Sequence, residues 1–123
     1  MAHGHLHDAD QLDAHFAGAV ADTMQALATP SRVRILGRLR AGASSVNELA
    51  TAVGMEPSAV SHQLRLLRHL GFVIGHRAGR RVVYDLYDDH VAHLLDEAMS
   101  HVEHVQLGLA GRMDQRDVIV VGT

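Results

Sequence analysis

The chain has no cysteine, no lysine and no tryptophan among its 123 residues. Without cysteine there are no disulfides, no thiolate ligands and no cysteine nucleophile, so any metal must be held by nitrogen and oxygen donors. Eleven histidines are available for that task. With only two Phe and two Tyr, the core must be built from Leu, Val, Ala and Met, as in small helical domains. Because lysine is missing every basic side chain is arginine, a compositional bias to which we attach no functional meaning. No apolar run is long enough to span a bilayer and no signal-peptide pattern occurs, so a cytoplasmic protein without membrane contact is expected. Catalytic signatures are absent as well: there is no His-Glu-x-x-His, no Gly-x-Ser-x-Gly and no phosphate-binding loop. The run His101-Val102-Glu103-His104 resembles the His-x-Glu of zinc deaminases only superficially, since their cysteine pair is missing. An enzyme is not expected.

What is present is unevenly spread. The net charge is −3, yet residues 1–31 carry four acids and no Arg, and residues 82–123 carry eight acids and two Arg. Residues 32–81 carry nine Arg against Glu48 and Glu56 alone, a local net of +7. A phosphate backbone senses local charge, so the middle of the chain is a candidate nucleic-acid module between acidic ends. The length suits one domain that gains security as a dimer.

Residues 1–10 have no helical period and read as a flexible His-rich arm. Phe16, Val20, Met24 and Leu27 recur at helical spacing and predict a first helix from about Leu12 to Ala28. Thr29 with Pro30 is an N-cap followed by proline at the first helical position, opening a second helix that stops near Gly42. Ser45-Val46-Asn47-Glu48 has the form of a capping box and starts a short third helix ending at Gly54. A fourth runs from Pro57 to about Gly71. The period then changes to two: Phe72 to His76 and Arg81 to Tyr87 flank Arg77-Ala78-Gly79-Arg80 and predict a hairpin. Asp88 or Asp89 caps a fifth helix reaching about Gly108, after which residues 109–123 form a tail with an apolar stretch, Val118 to Val121. The fold class is therefore mainly α with a β-hairpin wing: a winged helix-turn-helix of five helices over residues 11–108, paired as a homodimer.

The fourth helix has two faces. Val60, Leu64 and Leu67 should pack inward, while Ser58, His62, Arg65 and His69, with Ser61 and Arg68 beside them, should enter a major groove of double-stranded DNA. Gln63 is a further candidate for base contact. Arg77, Arg80 and Arg81 on the wing are placed for phosphates or the minor groove.

The fifth helix poses a different problem. At 100° per residue His90, His93, Glu97, His101 and His104 share one face, beside an apolar face of Val91, Leu94, Leu95, Ala98, Val102 and Val105. His101 and His104 can grip one ion together, but His90 lies roughly 16 Å away along the axis, far beyond a metal–nitrogen bond. One helix cannot close such a site. Two antiparallel copies about a two-fold axis would bring Asp88 and His90 of one chain to His101 and His104 of the other. One Asp and three His complete a tetrahedral set suited to Zn(II), whereas Ni(II) and Co(II) in nitrogen and oxygen surroundings more often take further ligands. His3 is the first candidate on the arm, and Ala2 with its α-amine, His5, His7 and His93 are secondary ones.

The opening Leu27-Ala28-Thr29-Pro30-Ser31-Arg32, the run Val46-Asn47-Glu48-Leu49-Ala50, the segment Ser58-Ala59-Val60-Ser61-His62-Gln63-Leu64-Arg65 and the fifth-helix ligand set resemble the ArsR/SmtB family of metal-responsive winged-helix repressors over about residues 13–108. The resemblance implies a homodimer held by the first and fifth helices that binds operator DNA without metal and releases it with metal, and a regulated gene for metal efflux. The family's third-helix site uses Cys-x-Cys, where this chain has Ser45-Val46-Asn47. Its fifth-helix site, Asp-x-His from one protomer and His-x-x-His from the other, maps onto Asp88, His90, His101 and His104. Among sensors with that site, the sequence resembles a nickel and cobalt sensor whose His-bearing arm completes a six-coordinate site, although Gln106 stands where that sensor has a further histidine. The effector implied is thus Ni(II) or Co(II), with Zn(II) as the alternative.

Overall fold

The computed structural model of the chain describes residues 12–115. The expectations for Ala2, His3, His5 and His7 on the arm, and for the Val118 to Val121 stretch, lie outside the described residues. In chain order the elements are α1 (Ala14–Ala26), α2 (Pro30–Ala41), β1 (Ser44–Ser45), α3 (Val46–Val53), α4 (Pro57–His69), β2 (Val73–Ala78), β3 (Arg81–Leu86) and α5 (Asp89–Gln115). They divide into two compact units with the boundary between Tyr87 and Asp88.

Local chemistry accounts for most of the helix boundaries. Asp13 accepts from the Phe16 amide at 2.8 Å and starts α1. That is two residues later than the apolar spacing suggests, and the helix also closes two residues earlier, at Ala26. Thr29 Oγ1 accepts from the Arg32 amide and Pro30 follows, as expected for α2. In α3 both halves of the capping box form: Glu48 N–H donates to Ser45 Oγ at 3.2 Å and Ser45 N–H donates to Glu48 Oε1 at 2.8 Å. Gly54, at φ +68°, ends α3 in the left-handed region where a side chain would be strained.

The first unit buries a continuous core. Ile35, Leu36 and Leu39 of α2, Leu49 and Val53 of α3 and Val60, Leu64 and Leu67 of α4 meet with Phe72 and Val73 at the start of the wing. Burying each of the larger aliphatic side chains contributes about 1.5–3 kcal/mol. The wing is a three-stranded antiparallel sheet in the order β1-β3-β2. Ser44 pairs with Tyr84 and Ser45 with Val83, so a strand absent from the sequence-based reading joins the start of α3 to the wing. The hairpin is also tighter than expected. Arg77 and Ala78 belong to β2, paired with Val82 and Arg81, which leaves only Gly79 and Arg80 in the turn. Gly79 takes φ +69° there. Near the base of the wing the Tyr84 ring occupies the space a side chain at Gly75 would need, because a Cβ there would lie 2.9 Å from Cε2.

In the second unit α5 continues for 27 residues to Gln115, about 40 Å of helix, passing through Gly108 where the sequence pattern suggested a stop. A single glycine costs helix stability without ending the helix when good formers such as Leu109 and Ala110 follow.

Candidate nucleic-acid interface and metal ligands

The glycine turn between α3 and α4 fixes α4 as the second helix of a helix-turn-helix. Val60, Leu64 and Leu67 are its buried residues. Ser58, His62, Arg65, Arg68 and His69 are exposed and Ser61 is half-buried, so the outward face carries hydroxyl, imidazole and guanidinium groups. Such groups can donate to guanine N7 and O6 or to phosphate oxygens.

The structure gives Gln63 another partner. Its Oε1 accepts from Arg32 Nε at 2.8 Å, while Arg32 Nη1 donates to the Ala26 carbonyl at 3.1 Å. One guanidinium thus ties the end of α1 and the first turn of α2 to α4. At 100° per residue position 63 falls on the flank toward the inner face, away from Arg65. With its carbonyl oxygen engaged, this amide would have to leave Arg32 to make the two-point contact that reads adenine. No sequence signal marks this pair, since 31 residues separate the partners.

On the wing Arg80 sits in the turn, Arg77 one pair back along β2, and Arg81 at the first position of β3. Arg81 is not a free cation: its Nη2 lies 3.0 Å from Glu48 Oε1. The Glu48 carboxyl is held below the usual carboxylate range, first by the Ser45 amide hydrogen bond and then, against some desolvation, by the Arg81 charge.

Asp88 and His90 meet at the start of α5. Asp88 Oδ1 accepts from the amides of His90 and Val91 at 3.0 and 3.3 Å, so Asp88 rather than Asp89 caps the helix. Its other oxygen, Oδ2, lies 3.4 Å from His90 Nδ1. The His90 side chain is 95% exposed and that of Asp88 42%. His93, Glu97, His101 and His104 are exposed further along the same helix. Among the described residues of one chain, no three His, Asp or Glu side chains are grouped to hold an ion. Asp88 and His90 are brought together, whereas His101 and His104 stand apart from them on the helix.

The described helices include none long and apolar enough to cross a membrane. Residues 29–74 match the arsR family of bacterial regulatory proteins. Over 101 residues the chain is 63% identical to the HTH-type transcriptional regulator NmtR of Mycobacterium tuberculosis, covering 82% of this chain and 84% of that protein. The solution structure of apo-NmtR matches with a TM-score of 0.68 at 64% identity, over 76% of this chain and 78% of that one. A homodimeric winged helix-turn-helix DNA-binding domain from Mycobacterium bovis also gives a TM-score of 0.68, at 31% identity over 78% of this chain and 88% of that one. The helix-turn-helix, the wing and the long fifth helix therefore have one common explanation: the chain belongs to the arsR family of bacterial regulatory proteins.

Proposed function

We propose that the chain is a transcriptional repressor whose homodimer binds operator DNA free of metal and lets go when Ni(II) or Co(II) occupies a site between two α5 helices. The observation that supports it best is the paired geometry of Asp88 and His90 at the start of α5. Asp88 Oδ2 and His90 Nδ1 lie 3.4 Å apart, close enough for both to reach one divalent cation at about 2.0–2.1 Å. The donor set fits a divalent cation.

Asp88 and His90 of one protomer would hold the ion with His101 and His104 of a second copy, and His3 from the arm would add a ligand, with Ala2, His5, His7 and His93 as further candidates. A bound ion supplies a cross-link that fixes the angle between protomers. Residues on the two α4 helices would read two half-sites, so a dimer calls for a palindromic operator. Ser58, Ser61, His62, Arg65 and Arg68 would face the groove, with Gln63 a further candidate on their flank, and Arg77 and Arg80 would face the phosphates, joined by Arg81 when it is free of Glu48. The reading is not catalytic, and it places the protein in the cytoplasm with DNA.

Zn(II) is the second reading, favoured by one observation: the 3.4 Å separation is a tetrahedral edge, and the four α5 donors already complete a tetrahedral set. Replacing His101 and His104 together by Ala should leave operator binding intact and abolish the response to metal. Wild-type coupling between metal and DNA should be about 1–3 kcal/mol, equal in both directions. Release of DNA by nickel from that double variant would place the site elsewhere. Deleting residues 2 to 7 separates the two metals. Loss of nickel response, with Co(II) absorption turning from weak octahedral to strong tetrahedral bands, supports Ni(II) or Co(II); an unchanged spectrum and response supports Zn(II).

A further inference from the structure

Residues 32–81 contain only two acids, and one of them, Glu48, stands against the wing. Strand register puts it there. Ser45 pairs with Val83, and Arg81 lies two residues nearer the wing tip on the same face of β3. Ser45 is also the cap of α3, whose third residue is Glu48. Glu48 Oε1 therefore accepts both from the Ser45 amide at 2.8 Å and from Arg81 Nη2 at 3.0 Å. One carboxylate oxygen closes a helix and holds a wing arginine at once.

Both side chains remain open to water, with Arg81 58% and Glu48 48% exposed. An exposed pair of this kind adds little to stability, because solvent and salt screen it and two long side chains must be ordered. Its consequence for DNA is greater. Each arginine that neutralises a phosphate releases counterions and strengthens binding to every sequence. The groove beside the pair, lined by Ser45, Val46, Asn47 and Val82, is open and leaves the guanidinium room to turn toward a ligand.

We propose that Glu48 is a positioning residue that keeps Arg81 off the DNA backbone, lowering affinity for DNA of any sequence. The proposal rests on the DNA-binding reading above. It gives a repressor with a coupling of limited size a practical advantage: a lower general affinity lets the same effector clear the protein from DNA more completely.

Glu48→Gln is the informative variant, because glutamine also serves at the third position of a capping box and only the charge is lost. Metal-free full-length protein would be titrated onto short duplex DNA of random sequence between about 50 and 200 mM salt. The variant should bind more tightly than wild type at low salt. Its salt slope should steepen by about 0.9 per engaged protomer, so that its advantage shrinks roughly 3- to 4-fold per protomer across that range. The gain should vanish when Arg81→Ala is added. Equal or weaker binding by Glu48→Gln overturns the proposal. A gain that survives in the Arg81→Ala background also overturns it, since removal of repulsion by the carboxylate would then explain the effect. Wild-type protein that binds no DNA at any salt would overturn the DNA-binding reading and this inference with it.

Discussion

In the unit that ends at Tyr87, Ile35, Leu36, Leu39, Leu49, Val60, Leu64 and Leu67 are shut away from water, whereas along α5 Leu94, Met99, Val102, Val105 and Leu107 remain exposed. Three helices and a sheet can close a core on themselves. A lone helix with one apolar face cannot, and in α5 only Val91 and Leu95 are buried among the described residues. α1 shares this character, with Ala26 its one buried residue. The core of α2, α3, α4 and the wing is thus self-sufficient in apolar burial, while α5 carries apolar surface suited to a second copy of the chain. Four of the proposed ligands, Asp88, His90, His101 and His104, lie on the helix that needs company, and the proposed DNA contacts lie on α4 and the wing.

The contrast breaks most visibly if the core is opened. Leu64→Ala should lower stability by about 2–5 kcal/mol in urea unfolding. Val102→Asp on α5 should instead shift the sedimenting species toward monomer, and a dimer that ignores this change would remove α5 from the interface. Next in size, Arg65→Ala should cost about 1–3 kcal/mol of discrimination between operator and unrelated DNA. Arg80→Ala should weaken binding to both alike and flatten the salt dependence. If both variants behave identically in binding assays, the division between α4 and the wing is wrong. Thr29→Ala removes the cap of α2 and should cost about 1 kcal/mol in thermal unfolding, without changing oligomeric state.

The smallest effect is one of pH. The folded-state pKa of Glu48 lies below its ordinary value of 4.5, so its contribution is complete above that value and is lost as pH falls through the depressed one. Acid unfolding curves of wild type and Glu48→Gln should therefore converge only below the ordinary glutamate range. Curves that differ by the same amount at every acid pH would show that ionisation of Glu48 contributes nothing.

Local signals explain why much of the winged unit was legible in the sequence. Thr29 with Pro30, Ser45 with Glu48 and Gly54 each act within a few residues, and each boundary they mark is where the structure has it. The inward set Val60, Leu64 and Leu67 was legible for the same reason, since helical period is a short-range property. What escaped depends on partners distant in sequence. β1 has only two residues and exists because β3 passes beside it. The hydrogen bond between Gln63 and Arg32 escaped because nothing near either residue reveals the other. The ion pair of Arg81 escaped because its acid belongs to a helix cap 33 positions earlier. In α5 the spacing of Asp88, His90, His101 and His104 was legible, but whether the first pair is assembled within one chain was a matter of cap geometry.

That cap has a consequence for the entropy of the proposed site. Asp88 is already held by two backbone amides through Oδ1, so its side chain loses rotational freedom when the helix folds. An ion reaching Oδ2 and His90 would meet one donor ordered in advance. His101 and His104 stand exposed in mid-helix, and the torsions of two imidazoles there must still be fixed when an ion arrives. The two halves of the site are therefore unequal, and the larger conformational cost of closing it falls on His101 and His104 of the second copy.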